Sequence, residues 1–335
     1  MSADQALTST KIYFREAIAR ALREEMRRNP RVLILGQDVG AFGGSYREFD
    51  GLFKEFGADR VRDTPVAEAA SVGIGVGAAA SGFRPLVSIT YMDFLVLGFD
   101  PLINYAAKLR YKTGGLLTAP VVVKTTAGAL GQGVAHSQCL EAWLMSVPGL
   151  KVVAPSTPAD AYGLMKTALR SDGPVVYVDH KRLFPIPGEV PDTETFIPFG
   201  EALVRKPGSD VTIATHGFMV QIALEAARAL ESEGVSSEVV DLRSLAPLDI
   251  NTVAQSVDKT GALVTLEEGQ VTCGVGAEVA ARLYERLGVR PWARVGALPA
   301  PVSSNPVLEA ACVPDATRVV TAIHRLLGQQ RNAHS

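Results

Sequence analysis

This sequence predicts an α/β fold: two open, mainly parallel sheets with helices on both faces. Three observations support it. Short apolar runs of strand length alternate with longer stretches of helical period. Those runs are short and mostly apolar, as in parallel strands covered on both faces. The alternation also comes in two series, separated by a stretch that carries Pro185, Pro187, Gly188, Pro191, Pro198 and Gly200 and has no apolar period.

From the amino end, Phe14, Ile18, Ala21, Leu22 and Met26 share one face of a helix over 12–28, and Asn29-Pro30 stops it before the strand Val32-Leu33-Ile34-Leu35. Further strands are expected at 84–89, 120–125, 150–153 and 174–179, with helices at 68–82, 100–109, 137–146 and 157–170. Ser156-Thr157-Pro158 supplies capping hydroxyls and a first-turn proline for the last of these helices. In the second series, strands at 211–214, 237–240, 263–266 and near Val295 alternate with helices at about 218–233, 249–257, 274–287 and 315–327. The expected organisation is a domain over 1–185, a linker over 186–200 and a domain over 201–335, with Gln329 to Ser335 frayed.

With 335 residues, 47% hydrophobic and 20% charged, the chain can bury a sizeable core in two domains. A net charge of -2 gives no basic field for nucleic acid and no polybasic stripe for lipid. Cys139, Cys273 and Cys312 lie far apart, with neither a disulfide framework nor metal-ligand spacing, which fits a reducing compartment. The start of the chain lacks an apolar signal core, and no apolar run reaches membrane-spanning length. A cytoplasmic protein with no nucleic-acid or membrane partner is expected.

Candidate chemistry begins at Glu68, which heads the run Ala69-Ala70-Ser71-Val72-Gly73-Ile74-Gly75-Val76-Gly77-Ala78-Ala79-Ala80. A helix so poor in bulk lets another backbone come close, and a carboxylate facing a dry place makes stronger hydrogen bonds. The same run also reads as tight core packing, with Glu68 a partner of the helix dipole. Gly73, Gly75 and Gly77 do not have the spacing of a dinucleotide fingerprint. Of five histidines, His180 and His216 near strand ends, His324 on the last helix and His334 in the tail have structural readings. His136 differs because it ends the glycine-rich loop Gly128-Ala129-Leu130-Gly131-Gln132-Gly133-Val134-Ala135, placed after a strand and before a helix. There it serves either as a proton donor or acceptor, or as a cap of its own helix. No nucleophile elbow, P-loop or metal-ligand helix occurs. One Glu and one His without a nucleophile point to a cofactor that carries the bond-making.

Several motifs together resemble one family. They are Gly36-Gln37-Asp38-Val39-Gly40, Phe56-Gly57, Val61-Arg62-Asp63-Thr64-Pro65, Arg84-Pro85, Ala106-Ala107-Lys108, Gly114-Gly115, His136-Ser137-Gln138, Pro148-Gly149-Leu150-Lys151-Val152-Val153 and Val239 through Asp249. In number, order and spacing they resemble the β subunits of thiamine-diphosphate-dependent 2-oxo acid dehydrogenases, over nearly the whole chain. The resemblance implies a transketolase-like pyrimidine-binding domain followed by a transketolase C-terminal domain.

It also implies roles. Glu68, in Asp-Thr-Pro-x-x-Glu, would hold N1′ of the cofactor's aminopyrimidine, making the 4′-amino group a better base toward thiazolium C2. Phe94 matches the aromatic that stacks on the pyrimidine, with core packing as the alternative. His136 would serve acyl transfer to lipoamide. Main-chain carbonyls of Val121, Ala168, Leu169, Ser171 and Gly173 would hold a structural potassium ion. The superfamily's magnesium and diphosphate motif, Gly-Asp-Gly followed by Asn, does not occur here. An α subunit would therefore carry the magnesium in an α2β2 heterotetramer, with thiamine diphosphate at the α/β interface, and the complex would serve the lipoyl domain of a dihydrolipoyl acyltransferase core. The substrate would be a 2-oxo acid or acetoin.

Gln37 stands where the family usually has Glu, Ser88 where Glu is frequent, and Leu97 where some pyruvate-type members carry a carboxylate, which puts proton relay between paired sites in doubt. Asp179-His180-Lys181-Arg182-Leu183-Phe184 leans toward the acetoin or pyruvate type. The rival readings are the carboxyl-terminal half of a split transketolase or deoxyxylulose-phosphate synthase, and a catalytically silent scaffold subunit.

Overall fold

Alternate residues of each central strand in the first half point to opposite faces, and both faces are covered. Val122 and Val175 pack with the helices Phe14–Arg28 and Pro158–Arg170 on one side, while Val123 and Val176 pack with the helix Glu68–Ala80 on the other. The computed structural model describes residues 8–333, and His334 lies outside them.

The first sheet has seven strands, in the order β12 (Ser244–Ala246), β6 (Lys151–Val153), β7 (Val175–His180), β5 (Val122–Ala127), β4 (Arg84–Ile89), β2 (Val32–Gly36) and β3 (Val61–Asp63). All neighbours are parallel except β12 and β6. The second sheet runs β14 (Trp292–Ala297), β13 (Leu263–Gln270), β10 (Val211–Thr215), β11 (Ser237–Asp241) and β9 (Leu203–Lys206), parallel except where β9 meets β11. Both sheets are open and mainly parallel, as expected. Thr157 caps the helix Pro158–Arg170 by accepting from Asp160 N, with Pro158 at its first position.

Four sequence expectations need correction. The first helix begins at Phe14, because Ser9–Tyr13 forms a strand, β1, paired antiparallel with β8 (Pro187–Pro191) inside the supposed linker. Pro187 and Pro191 are tolerated there because a two-stranded ribbon has an unpaired edge. The segment expected as a helix over 100–109 is a π-helix at Asp100–Ala106, followed by a short α-helix at Leu109–Lys112. The helix expected from 137 starts only at Glu141, because Gln138 N is drawn to the Asp93 carboxylate. The last helix runs on to Ala333, past the expected frayed start at Gln329. Strands β3, β9 and β12, of three or four residues, were too short to show a period.

The core does not divide between the halves. One cluster joins Val72, Val87, Val123 and Val178 to Val240, Leu245, Val257 and Val279, and β12 from the second half is the edge strand of the first sheet.

Candidate active site

Carboxyl ends of β2, β4, β5 and β7 gather the candidate residues, the position at which open parallel sheets bind ligands. Thr64 N donates to the Gly36 carbonyl (2.9 Å), fixing the turn that delivers Glu68 to the first turn of its helix. Glu68 is only 5% exposed. Among the described residues, no hydrogen bond or ion pair engages its carboxylate. The residue is nearly buried while its carboxylate keeps a narrow opening to the surface, so this carboxyl can be reached by a partner from outside the chain. Its helix lies close to the turn Val96–Gly98: a Cβ at Gly98 would sit 2.8 Å from Val72 Cγ2 and 3.6 Å from the Glu68 carbonyl oxygen.

Phe94, in the short helix Met92–Leu95, is half-buried and meets the His136 ring edge-to-face at 5.2 Å between centroids. Tyr91 completes the corner, 4.7 Å from His136 and 5.9 Å from Phe94. His136 sits in a loop five residues before the helix Glu141–Met145, so it does not cap that helix. The loop leaves β5 through Gly128, where φ is +92° and a Cβ would fall 1.8 Å from His180 Nε2, so only glycine fits. Asp93 accepts from Gln138 Nε2 at 2.9 Å, tying the segment after His136 to the Phe94 helix. The structure thus brings Phe94 and His136 into contact, with Glu68 on the adjacent helix.

Two functional candidates escaped the sequence reading, Tyr91 and Lys181. Each lies just beyond the carboxyl end of a strand, and that position was the available signal. Lys181, 1% exposed, donates to the Gly128 carbonyl at 2.7 Å and to the His136 carbonyl, and its ammonium stands 4.9 Å from the Tyr91 ring centre. Burial pushes its pKa down.

Behind the loop lies an acidic, partly dry region. Glu268 is held below the usual carboxylate range by His180, against the opposing effect of its burial. Burial and the neighbouring His180 push His216 down to about 4. Glu141 is pushed up to about 8, by burial and by Glu267 and Glu268. A cavity of about 460 Å³ opens beside Ser137, Gln138, Glu141, Glu267 and Thr272; Glu68, Phe94 and His136 do not line it.

The five expected potassium residues collect near the amino ends of β5 and β7, the opposite end of the first sheet's strands from the candidate site. Arg84 donates to the carbonyls of Leu169 (3.2 Å) and Ser171 (2.8 Å), Ser171 donates to those of Ala168 and Gly173, and Val175 N donates to that of Val121. Among the described residues, no group of three or more His, Cys, Asp or Glu is placed to hold a metal ion, and no helix is long and apolar enough to cross a membrane.

Residues 10–187 match the transketolase pyrimidine-binding domain family and residues 200–319 the transketolase C-terminal domain family. The chain is 40% identical to the β subunit of an acetoin:2,6-dichlorophenolindophenol oxidoreductase of Cupriavidus necator, over 95% of this chain and 98% of that one. It is 41% identical to a pyruvate dehydrogenase E1 component β subunit of Rhizobium meliloti (92% and 68%) and 43% identical to a mitochondrial pyruvate dehydrogenase E1 β-1 subunit of Oryza sativa (93% and 85%). Among solved structures, a split-gene transketolase described as an inactive β4 tetramer superposes with a TM-score of 0.79 at 29% identity, over 95% of this chain and 99% of that one.

Proposed function

The chain belongs to the transketolase-type family of pyruvate and acetoin dehydrogenase β subunits, and on that premise we propose that Glu68, Phe94 and His136 are its share of an active site completed by an α subunit. The family uses thiamine diphosphate, and its members are oxidoreductases. When bound, the cofactor supplies the carbon nucleophile and the electron sink for cleaving the bond next to the substrate carbonyl.

The observation that carries this reading is Glu68, 5% exposed and without a hydrogen-bond or ion-pair partner for its carboxylate among the described residues. Such a group holds a proton at the pyrimidine N1′, where a water-exposed carboxylate would be dissipated by solvent. Phe94 offers its ring as a stacking surface, and Tyr91 braces it at its edge. His136, oriented by Phe94 and Tyr91, delivers a proton when the acyl group is passed on. In that step a 2-oxo acid and a lipoyl disulfide become CO2 and an S-acyl dihydrolipoyl group. The disulfide accepts two electrons, one sulfur takes the acyl group and the other takes the proton. With acetoin, acetaldehyde leaves in place of CO2.

In our reading the α subunit brings the magnesium and diphosphate site in an α2β2 heterotetramer, and a lipoyl domain of an acyltransferase core is the acceptor. The exposed small-residue face of the Glu68 helix, Ala69, Ala70 and Gly77 with Ile74 59% exposed, supports a close-packed partner there. A potassium ion at Val121, Ala168, Leu169, Ser171 and Gly173 would use the lone pair each carbonyl keeps, beside the competing charge of Arg84. We take 1–185 and 201–335 as the two functional units, joined by 186–200.

The test is Glu68→Gln in the complex reconstituted with the α subunit, which should lower turnover by about 10²–10⁴, the range of a lost proton-transfer group, with assembly intact by light scattering. A variant complex that keeps wild-type turnover would favour a silent scaffold.

A further inference from the structure

The tip of the loop that carries His136 is not held by burial, although Ala129 and Ser137 at its two ends are buried. Leu130 is 47% exposed and Val134 60%, and Gln132 also faces outward. Hydrogen bonds from both halves of the chain must therefore fix its course. From the first half, Lys181 takes the carbonyls of Gly128 and His136. From the second half come two carboxylates. Glu268, at the end of β13, accepts from Ala129 N at 2.7 Å. Glu309, in the helix Pro306–Cys312, accepts from Gly131 N at 2.7 Å.

Each carboxylate is itself held from behind. The second oxygen of Glu268 meets His180 Nε2 at 2.9 Å. His180 Nδ1 accepts from Arg182 N, so Nε2 carries the proton that Glu268 receives. Glu309 faces Arg182 Nη2 at 3.4 Å, and Arg182 Nε donates to the Ala129 carbonyl at 3.1 Å. Ser304 closes against the loop, where a Cβ at Gly133 would approach it to 3.3 Å. Glu268 and Glu309 are 8% and 7% exposed. Burying carboxylates is costly unless their hydrogen bonds are met, and here two of them serve amides two residues apart, Ala129 N and Gly131 N, in one loop.

We propose that Glu268 and Glu309 are positioning residues for His136, so that the second half of the chain, which supplies none of the three site residues, sets the geometry of acyl transfer to the lipoyl disulfide. This rests on the role given to His136 above. The loop is a strap with anchors on both halves: loosening an anchor lets His136 leave its contacts with Tyr91 and Phe94, while Glu68 and its helix stay where they are.

The experiment uses the complex reconstituted with the α subunit, carrying Glu309→Ala, Glu309→Gln, Glu268→Gln or His136→Ala. Two rates are read: substrate oxidation with 2,6-dichlorophenolindophenol as acceptor, and acylation of a free lipoyl domain. Glu309→Ala should lower kcat for lipoyl acylation about tenfold, with KM for the lipoyl domain unchanged within twofold and the dye rate within twofold of wild type. Glu309→Gln, which keeps an acceptor for Gly131 N, should recover most of the loss. In the His136→Ala background, Glu309→Ala should add less than twofold, because the histidine it positions is gone. Equal losses in both rates, or losses that multiply with His136→Ala, would overturn the proposal. Amide exchange of the 128–138 segment separates this from the functional reading. It should speed up at least tenfold in Glu309→Ala even if the wild-type complex shows no dehydrogenase activity, and unchanged exchange would also overturn the proposal.

Discussion

Glu141 lies at the start of a five-residue helix and is 6% exposed. Burial, together with the neighbouring Glu267 and Glu268, raises its pKa to about 8. The folded state therefore binds this proton more tightly than the unfolded chain, whose glutamate titrates near 4.5. The sign follows from linkage: the stabilisation is whole below pH 4.5 and is lost as pH rises through 8. A shift of that size corresponds to about 5 kcal/mol at most. Glu141→Gln keeps the neutral shape and removes the titration, so urea unfolding should find the variant more stable than wild type at pH 9 by a few kcal/mol and nearly equal at pH 5. A wild-type curve flat between pH 5 and 9 would contradict this. Legibility at this scale was uneven. Glu68, Phe94 and His136 were proposed from the sequence because motif spacing marks them. Tyr91 and Lys181 were not, because their roles arise from ring edges and loop carbonyls brought together across the sheet, which no local spacing records.

At the scale of elements, the helix Glu68–Ala80 presents glycine for two different reasons. Gly75 faces the sheet, where a Cβ would come within 2.3 Å of Val87 Cγ2, on a stiff β-branched side chain in a central strand. Gly77 faces outward, with nothing within 4 Å of its would-be Cβ. Alanine favours a helix over glycine by roughly 1 kcal/mol at either position. At Gly75 the overpacking cost of about 1–3 kcal/mol exceeds that gain; at Gly77 nothing opposes it. Gly75→Ala should therefore lower the melting temperature of the isolated chain and Gly77→Ala should raise it, while Gly77→Ala should weaken assembly with the α subunit in a binding titration if that face is the seam. Opposite signs in the isolated chain are the outcome that matters. The small-residue stripe was visible in the sequence, but a period of apolar residues cannot tell which glycine touches a strand and which awaits a partner. For the same reason the two-stranded ribbon of β1 and β8 was missed: its exposed alternation is weak and its prolines argued for a loop.

Across the whole molecule, two sheets were legible but their union was not, since the shared core and the crossing of β12 into the first sheet depend on contacts between residues about ninety or more positions apart. An ion network reinforces that union. Arg205 of β9 bonds to Asp160 on the helix Pro158–Arg170 and to Asp241 at the end of β11 (2.8 Å), while Ser156 donates to Asp241 and Arg243 lies 3.5 Å from Asp160. Burial and Asp160 push Asp241 up to about 6, against the pull of Arg205. Removing Arg205 leaves Asp241 facing Asp160 in a dry place with only Arg243 beside Asp160 to offset them, a loss of up to about 3–5 kcal/mol for a broken buried pair. The surviving acids relieve this by keeping a proton, so the penalty of Arg205→Met should be larger at pH 7 than at pH 5. Because the core is continuous through both halves, unfolding should remain one transition even in the variant, with near-ultraviolet and far-ultraviolet circular dichroism coinciding along a urea gradient. If the network alone joined two self-sufficient domains, Arg205→Met would split the curve in two; a single curve shifted to lower urea is what a shared core requires.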